Sequence, residues 1–122
     1  MTHSRLIAIG AVNAALAIAF GAFGAHALKA RLVPDMLAIW HTAFQYHIAH
    51  SLGLILVGLV MTHRPDSRAL RASGWLMVVG IVLFSGSLYI LSVTGIRGFG
   101  AITPFGGIVF IAAWISFAVG AR

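Results

Sequence analysis

Four long runs of apolar residues divide the sequence, and they constrain the fold more than any other feature. They cover approximately residues 6–23, 38–61, 74–93 and 104–121. A helix needs about 20 residues to cross the roughly 30 Å hydrocarbon core of a bilayer, and each run is close to that length. Because open sheet edges cannot exist in hydrocarbon and the runs do not alternate in polarity, the sequence predicts membrane-spanning helices.

The composition agrees with a membrane protein and excludes a soluble fold. Of the 122 residues, 61% are hydrophobic and only 8% are charged, whereas soluble domains carry about 25% charge. A soluble domain of this size could not hide so much apolar surface, because small domains leave much of their surface exposed. We therefore predict an all-α, integral membrane four-helix bundle, with residues 1–122 forming a single transmembrane domain.

The basic residues lie at the ends of the apolar runs. The net charge is +6, but no basic stripe interleaves with aromatic residues, so nucleic acid is not an expected partner. Cations at helix ends suit anionic headgroups, which makes membrane lipids the expected partners. One side of the predicted bundle carries five cations and the other three, and the positive-inside rule then places both termini in the cytoplasm. The two sets are Arg5, Arg64, Arg68, Arg71 and Arg122, against Lys29, Arg31 and Arg97.

The first apolar run is interpreted as a retained anchor. Ala25-His26-Ala27 resembles a signal-peptidase site, but the run before it is longer than the 7–15 residues of a signal-peptide core. Small residues share one face of this helix, which we expect to admit a close neighbouring backbone and to favour self-association. That face consists of Ala11, Ala15, Ile18, Ala22 and His26.

Most polar residues of the spans fall in the half of the bilayer opposite the arginine-rich connection. We predict a polar pocket in this half, and its candidates come from all four helices: His26, Thr42, Tyr46, His50, Ser85, Tyr89, Ser92 and Thr103. Residues three or four apart share a helix face, which groups several of them. His50 is the deepest, about 12–15 Å below the start of its span, so it should face the bundle interior. His41 and His47 are expected near the membrane–water interface, in contact with water.

Three roles remain open for these side chains. His26 and His50 could be axial ligands of haem or a metal, because neutral imidazole is a good ligand. Interhelical hydrogen bonding is the favoured alternative, so no metal site is predicted and the cofactor is left unknown. No carboxylate lies within the spans, and a serine triad needs an orienting acid, which argues against an enzyme. The third possibility is a minimal transporter or channel formed by oligomers.

Several motifs resemble those of the YgdD-like family of small bacterial inner-membrane proteins, a family of unknown function that is similar to a eukaryotic small transmembrane protein. The motifs are GAFGAHAL (21–28), Tyr46 with His50, LFSGSLY (83–89), TPFGG (103–107) and FIAAW (110–114). The resemblance implies a multi-pass four-helix bundle in the inner membrane and implies no reaction. The polar positions of the family map onto His26, Tyr46, His50, Ser85, Ser87, Tyr89, Thr103 and Trp114. The chain departs from the family at His47, where glutamine is expected, and at Ala113, where glycine is common.

Together these features predict a small, non-enzymatic, polytopic membrane protein. Its polar pocket would face the periplasmic half of the bilayer and bind a lipid, a quinone or another small amphiphile. Alternatively, the protein would support a larger membrane assembly or form a homo-oligomer.

Overall fold

Four long helices make up the protein. The computed structural model describes residues 1–122 and contains no β-strand. Each helix is long and apolar enough to cross a membrane, which confirms the predicted all-α membrane fold. The helices are α1 (His3–Leu28), α2 (Pro34–Met61), α3 (Arg68–Thr94) and α4 (Thr103–Gly120), and a short 3-10 helix, Arg97–Ala101, precedes α4.

Local chemistry explains where the helices begin. The Thr2 hydroxyl accepts a hydrogen bond from the Arg5 amide before α1, and the Ser67 hydroxyl accepts one from the Leu70 amide before α3. Proline occupies the first turn of both α2 and α4. Proline has no amide hydrogen to lose there, and its fixed φ suits a helix start.

The helices pack antiparallel in chain order, so both termini lie at the same end of the bundle as the α2–α3 connection. Glycines mark the closest approaches. A Cβ on Gly10 would lie 2.8 Å from the Ser51 carbonyl oxygen, and one on Gly58 would lie 2.9 Å from the His3 carbonyl oxygen. Backbones can come this close only where side chains are absent.

The small-residue face predicted on α1 does not pack against another helix of the protein. Its alanines are exposed and Ile18 is 62% exposed, whereas Gly10, Ala17 and Gly24 are the small residues that α1 buries. The contact with α2 therefore uses another side of the helix, and self-association through the predicted face stays a prediction. In lipid, hydrophobicity does not distinguish an inward face from an outward one, and only the contacts decide.

Two apolar clusters fill the interior, one towards each end of the bundle. The cluster near the termini contains Leu54, Val57 and Phe110, among others. The cluster near the α1–α2 connection contains Trp40, Ala43 and other residues. On α2 the two clusters are separated by residues 44–53, and this middle stretch carries the buried polar side chains His47, His50 and Ser51. Along α2, a polar stretch therefore lies between two apolar ones.

Two of the four spans contain a π-helical turn. One is Gly24–Leu28 at the end of α1, and the other is Ile81–Gly86 in the middle of α3. The first falls within the GAFGAHAL motif, and the second overlaps the beginning of the LFSGSLY motif. A π turn accommodates one extra residue, rotates the side chains that follow it, and is frequent at functional sites.

Candidate functional site: a polar groove along α3

His47 lies at the centre of a hydrogen-bonded chain that joins the first three helices. Its side chain is buried, with 4% exposure. The Nδ1 atom is 3.1 Å from the Tyr89 hydroxyl of α3, and the Nε2 atom is 3.1 Å from Oδ1 of Asn13 in α1. The amide nitrogen of Asn13 in turn donates to the Ile9 carbonyl at 2.9 Å.

The partners determine which atom donates in each bond of this chain. Since the Asn13 nitrogen donates to a carbonyl, its Oδ1 faces His47 and can only accept. Nε2 of His47 therefore carries the hydrogen, and in a neutral ring Nδ1 must accept from the Tyr89 hydroxyl. The Tyr89 oxygen retains an unused acceptor position. These hydrogen bonds thus hold the imidazole in one tautomer and direct the Tyr89 hydroxyl towards Nδ1 of His47.

An open groove of about 400 Å³ runs along α3 beside this chain. Val82 and Ile90, which line it, are 64% and 42% exposed, so the groove faces the lipid. Its lining combines polar groups of the chain with apolar side chains: Asn13, Phe20, His47, Ile81, Val82, Leu83, Ser85, Gly86, Ser87, Tyr89, Ile90, Phe99 and Ile102.

Ser85 is the one residue of the groove with an unpaired buried polar atom. Its side chain is fully buried, and its hydroxyl has no hydrogen-bond partner. Serines in helices usually bond to a carbonyl of the preceding turn, as Ser51 does to His47 at 2.7 Å. Ser85 lies in the π turn of α3 and makes no such bond. The donor of its hydroxyl is therefore unused.

His50, three residues further along α2, has a different environment because it faces α4. Its Nδ1 atom is 2.7 Å from the Tyr46 carbonyl, and its Nε2 atom accepts from the Trp114 indole at 3.1 Å. The ring stacks on Phe110 with centroids 3.4 Å apart. Both ring nitrogens are occupied, and His26 is exposed at the end of α1. A haem or metal held by these two histidines would have to break the bonds of His50, so the geometry favours helix–helix packing.

The predicted pocket residues do not all come together. Ser85 and Tyr89 line the groove. Tyr46 is 43% exposed and packs on Phe84, away from the groove. The remaining hydroxyls bond locally or to a neighbouring helix: Thr42 to the Ala38 carbonyl, Ser92 to the Leu88 carbonyl and Thr103 to Ser87.

Two residues of the site were missed from sequence. His47 was expected at the wet interface, but it is buried at the middle of α2. Asn13 was left outside the predicted pocket. One signal could have paired them, because α1 and α2 form a hairpin with a short connection. Positions 13 and 47 are almost equally far along the chain from that connection, so antiparallel packing brings them to the same depth.

Comparison with known proteins places the chain in a family. A family described as "Protein of unknown function (DUF423)" matches residues 20–107. The chain is 51% identical over 115 residues to the UPF0382 membrane protein YwdK of Bacillus subtilis, covering 94% of each chain. It is 46% identical over 114 residues to the UPF0382 membrane protein SSP2132 of Staphylococcus saprophyticus, covering 93% of each. No solved structure matches.

These relatives are bacterial proteins whose names describe them as membrane proteins. Together with four helices able to cross a bilayer, they confirm the predicted location as a multi-pass bacterial membrane protein. They also confirm the predicted resemblance to a small membrane-protein family without an established activity, under a different label. The chain belongs to the DUF423 family.

Proposed function

We propose that the protein binds a small amphiphile dissolved in the membrane, and that the polar group of this amphiphile occupies the groove beside Ser85 and Tyr89. The unpaired hydroxyl of Ser85 is the observation that carries the proposal. A buried donor without a partner costs about 1–3 kcal/mol. A ligand oxygen that accepts from Ser85 would remove this penalty.

The polar groups of the groove suggest the chemistry of the ligand. Ser85 offers a donor, and the Tyr89 oxygen offers an acceptor that His47 leaves free. Carbonyl and hydroxyl oxygens match these two groups, as found on quinones, quinols and the ester region of lipids. No carboxylate lines the groove, which favours an uncharged polar group over a cation.

The shape of the groove fits a ligand that enters from the bilayer. Helix α1 meets α3 where Leu6 packs against Gly74 and where Phe20 contacts Tyr89 with ring centroids 5.0 Å apart. Asn13 lies between these two contacts along α1 and lines the groove. The volume, about 400 Å³, is within the usual range of small-molecule sites.

Native mass spectrometry of protein released from native membranes tests the proposal. The wild type should retain a small lipid-soluble molecule, and Ser85→Ala should lose most of it. Ser92→Ala is the matched control, since Ser92 is equally buried, bonds to the Leu88 carbonyl and does not line the groove. A wild type without a retained molecule, or equal retention in both variants, would overturn the proposal.

A further inference from the structure

A second groove lies on the opposite side of the α1–α2 contact. Its volume is about 920 Å³, and it shares no lining residue with the groove along α3. Its walls come from the end of α1, the connection and the beginning of α2: Ile18, Gly21, Ala22, Gly24, Ala25, Lys29, Leu32, Pro34, Leu37, Ala38, Trp40, His41 and Phe44.

Polarity changes along this second groove as it does along a lipid molecule. Lys29 and His41 are its charged or ionisable residues, no acidic residue lines it, and Lys29 belongs to the connection outside the bilayer core. The inner end is formed by Ile18 and Phe44, which are wholly apolar. An elongated ligand with an anionic head and a hydrocarbon tail would match both ends at once.

The second groove extends from the headgroup region into one leaflet. From Pro34 to Phe44 the helix rises about 15 Å, at about 1.5 Å per residue. The apolar run of α2 begins at Ala38, so Phe44 lies about 9 Å inside the hydrocarbon core. A ligand whose head lies near Lys29 would therefore place the first part of its tail along the groove.

The wall of the second groove is fixed in place. The Trp40 indole donates to the Phe20 carbonyl at 2.9 Å, so its ring position is set by α1. The ring also lies directly over Gly24, where any Cβ would overlap it. Ala22, Ala25 and Ala38 contribute only methyl groups, and this leaves the space between the helices unfilled.

We infer that the second groove binds one anionic phospholipid, with the phosphate beside Lys29 and an acyl chain along Ala22 and Phe44. Polybasic contacts at a membrane surface act diffusely and within a Debye length. A groove that also holds the acyl chain would instead retain an individual lipid after extraction.

The experiment measures lipids retained by the purified protein in mild detergent, supplied with equal amounts of phosphatidylglycerol and phosphatidylcholine. We expect one phosphatidylglycerol to be retained preferentially on native mass spectra. Lys29→Gln should weaken this retention about fivefold, the usual contribution of one cation at a membrane surface. Arg31→Gln is the matched control, because Arg31 is exposed in the same connection and does not line the groove. Equal losses of phosphatidylglycerol in the two variants would show that diffuse positive charge retains the lipid. That result would overturn the inference.

A second variant tests the acyl part of the site without changing charge. Ala22→Phe should fill the groove at an exposed position and displace the phospholipid, with the helical content unchanged by circular dichroism. Unchanged retention in Ala22→Phe would exclude a seated acyl chain. Displacement by soluble glycerol phosphate would show a free-phosphate site and would also overturn the inference. Ser85→Ala should not alter phosphatidylglycerol retention, which separates this result from the ligand proposed for the groove along α3.

Discussion

The Trp114 indole of α4 donates a hydrogen bond to Nε2 of His50 in α2 at 3.1 Å. The other ring nitrogen of His50 lies 2.7 Å from the Tyr46 carbonyl, so the histidine is fully paired by its own protein. This contact joins the last helix to the second one inside the bilayer. It converts a polar residue that is costly in hydrocarbon into a link between helices.

Removal of this link should destabilise the bundle modestly. Trp114→Phe keeps an aromatic ring but leaves Nε2 of His50 without a donor. We expect a loss of about 0.6 kcal/mol in the free energy of unfolding, the average measured for interhelical hydrogen bonds in membranes, and at most about 1.7 kcal/mol. Unfolding in mixed micelles, followed by circular dichroism, measures it. Trp75→Phe is the control, because Trp75 is 53% exposed and its indole makes no hydrogen bond. Equal effects of the two variants would contradict a specific role of the bond.

His47 should accept glutamine but not leucine. A glutamine amide can donate to Asn13 and accept from Tyr89, as the ring does now. His47→Leu leaves both partners unpaired, which should cost about 1–3 kcal/mol. His47→Gln should destabilise the protein less than His47→Leu does, since Asn13 and Tyr89 both keep a hydrogen bond. The same unfolding assay compares the two variants. An unchanged free energy of unfolding in His47→Leu would show that the hydrogen bonds of His47 contribute little to stability.

Neighbouring glycines in the TPFGG motif should differ in their tolerance of alanine. A Cβ on Gly106 would lie 2.5 Å from the Phe84 amide nitrogen, where the backbone of the π turn must move. A Cβ on Gly107 would have no atom of another helix closer than 3.9 Å. Gly106→Ala should therefore lower stability by about 1–3 kcal/mol, whereas Gly107→Ala should be neutral or slightly stabilising through helix propensity. Thermal melts of both variants decide it, and indistinguishable melting temperatures would refute the close approach.

Both termini should lie in the cytoplasm. The structure places them at the same end as the α2–α3 connection, which contains Arg64, and the first turn of α3, which contains Arg68 and Arg71. Positive charge near the spans is retained on the cytoplasmic side. Green fluorescent protein fused after Arg122 should fluoresce, and alkaline phosphatase fused after Gly98 should be active. The reverse pattern would establish the opposite orientation.

The sequence was sufficient to predict four membrane helices, because length and apolarity alone decide whether a segment can cross a bilayer. It did not identify the inner faces. The exposed Ile18 and the buried Leu54 are equally compatible with lipid, so their positions depend on which neighbour packs closely. In a soluble protein, water would have separated these faces by polarity.

The sequence predicted only part of the candidate site. Ser85 and Tyr89 were grouped by ordinary helical spacing, and both line the groove. The hydrogen bond between Tyr89 and His47 was not predicted. Between Ile81 and Gly86 the helix takes a π turn, which changes the direction of the residues after it. No local residue pattern signals such a turn reliably.

The pairing of Asn13 with His47 has a consequence for the order in which the helices can enter the membrane. Each of these residues alone would burden its own span with an unpaired polar group in hydrocarbon. As consecutive helices of one hairpin, α1 and α2 satisfy each other at Oδ1 and Nε2 before any later segment arrives. The third helix then brings Tyr89, whose hydroxyl meets an imidazole already fixed in the accepting tautomer. The α1–α2 hairpin can therefore insert into the membrane first. Each polar side chain then forms its hydrogen bond as soon as its helix is inserted.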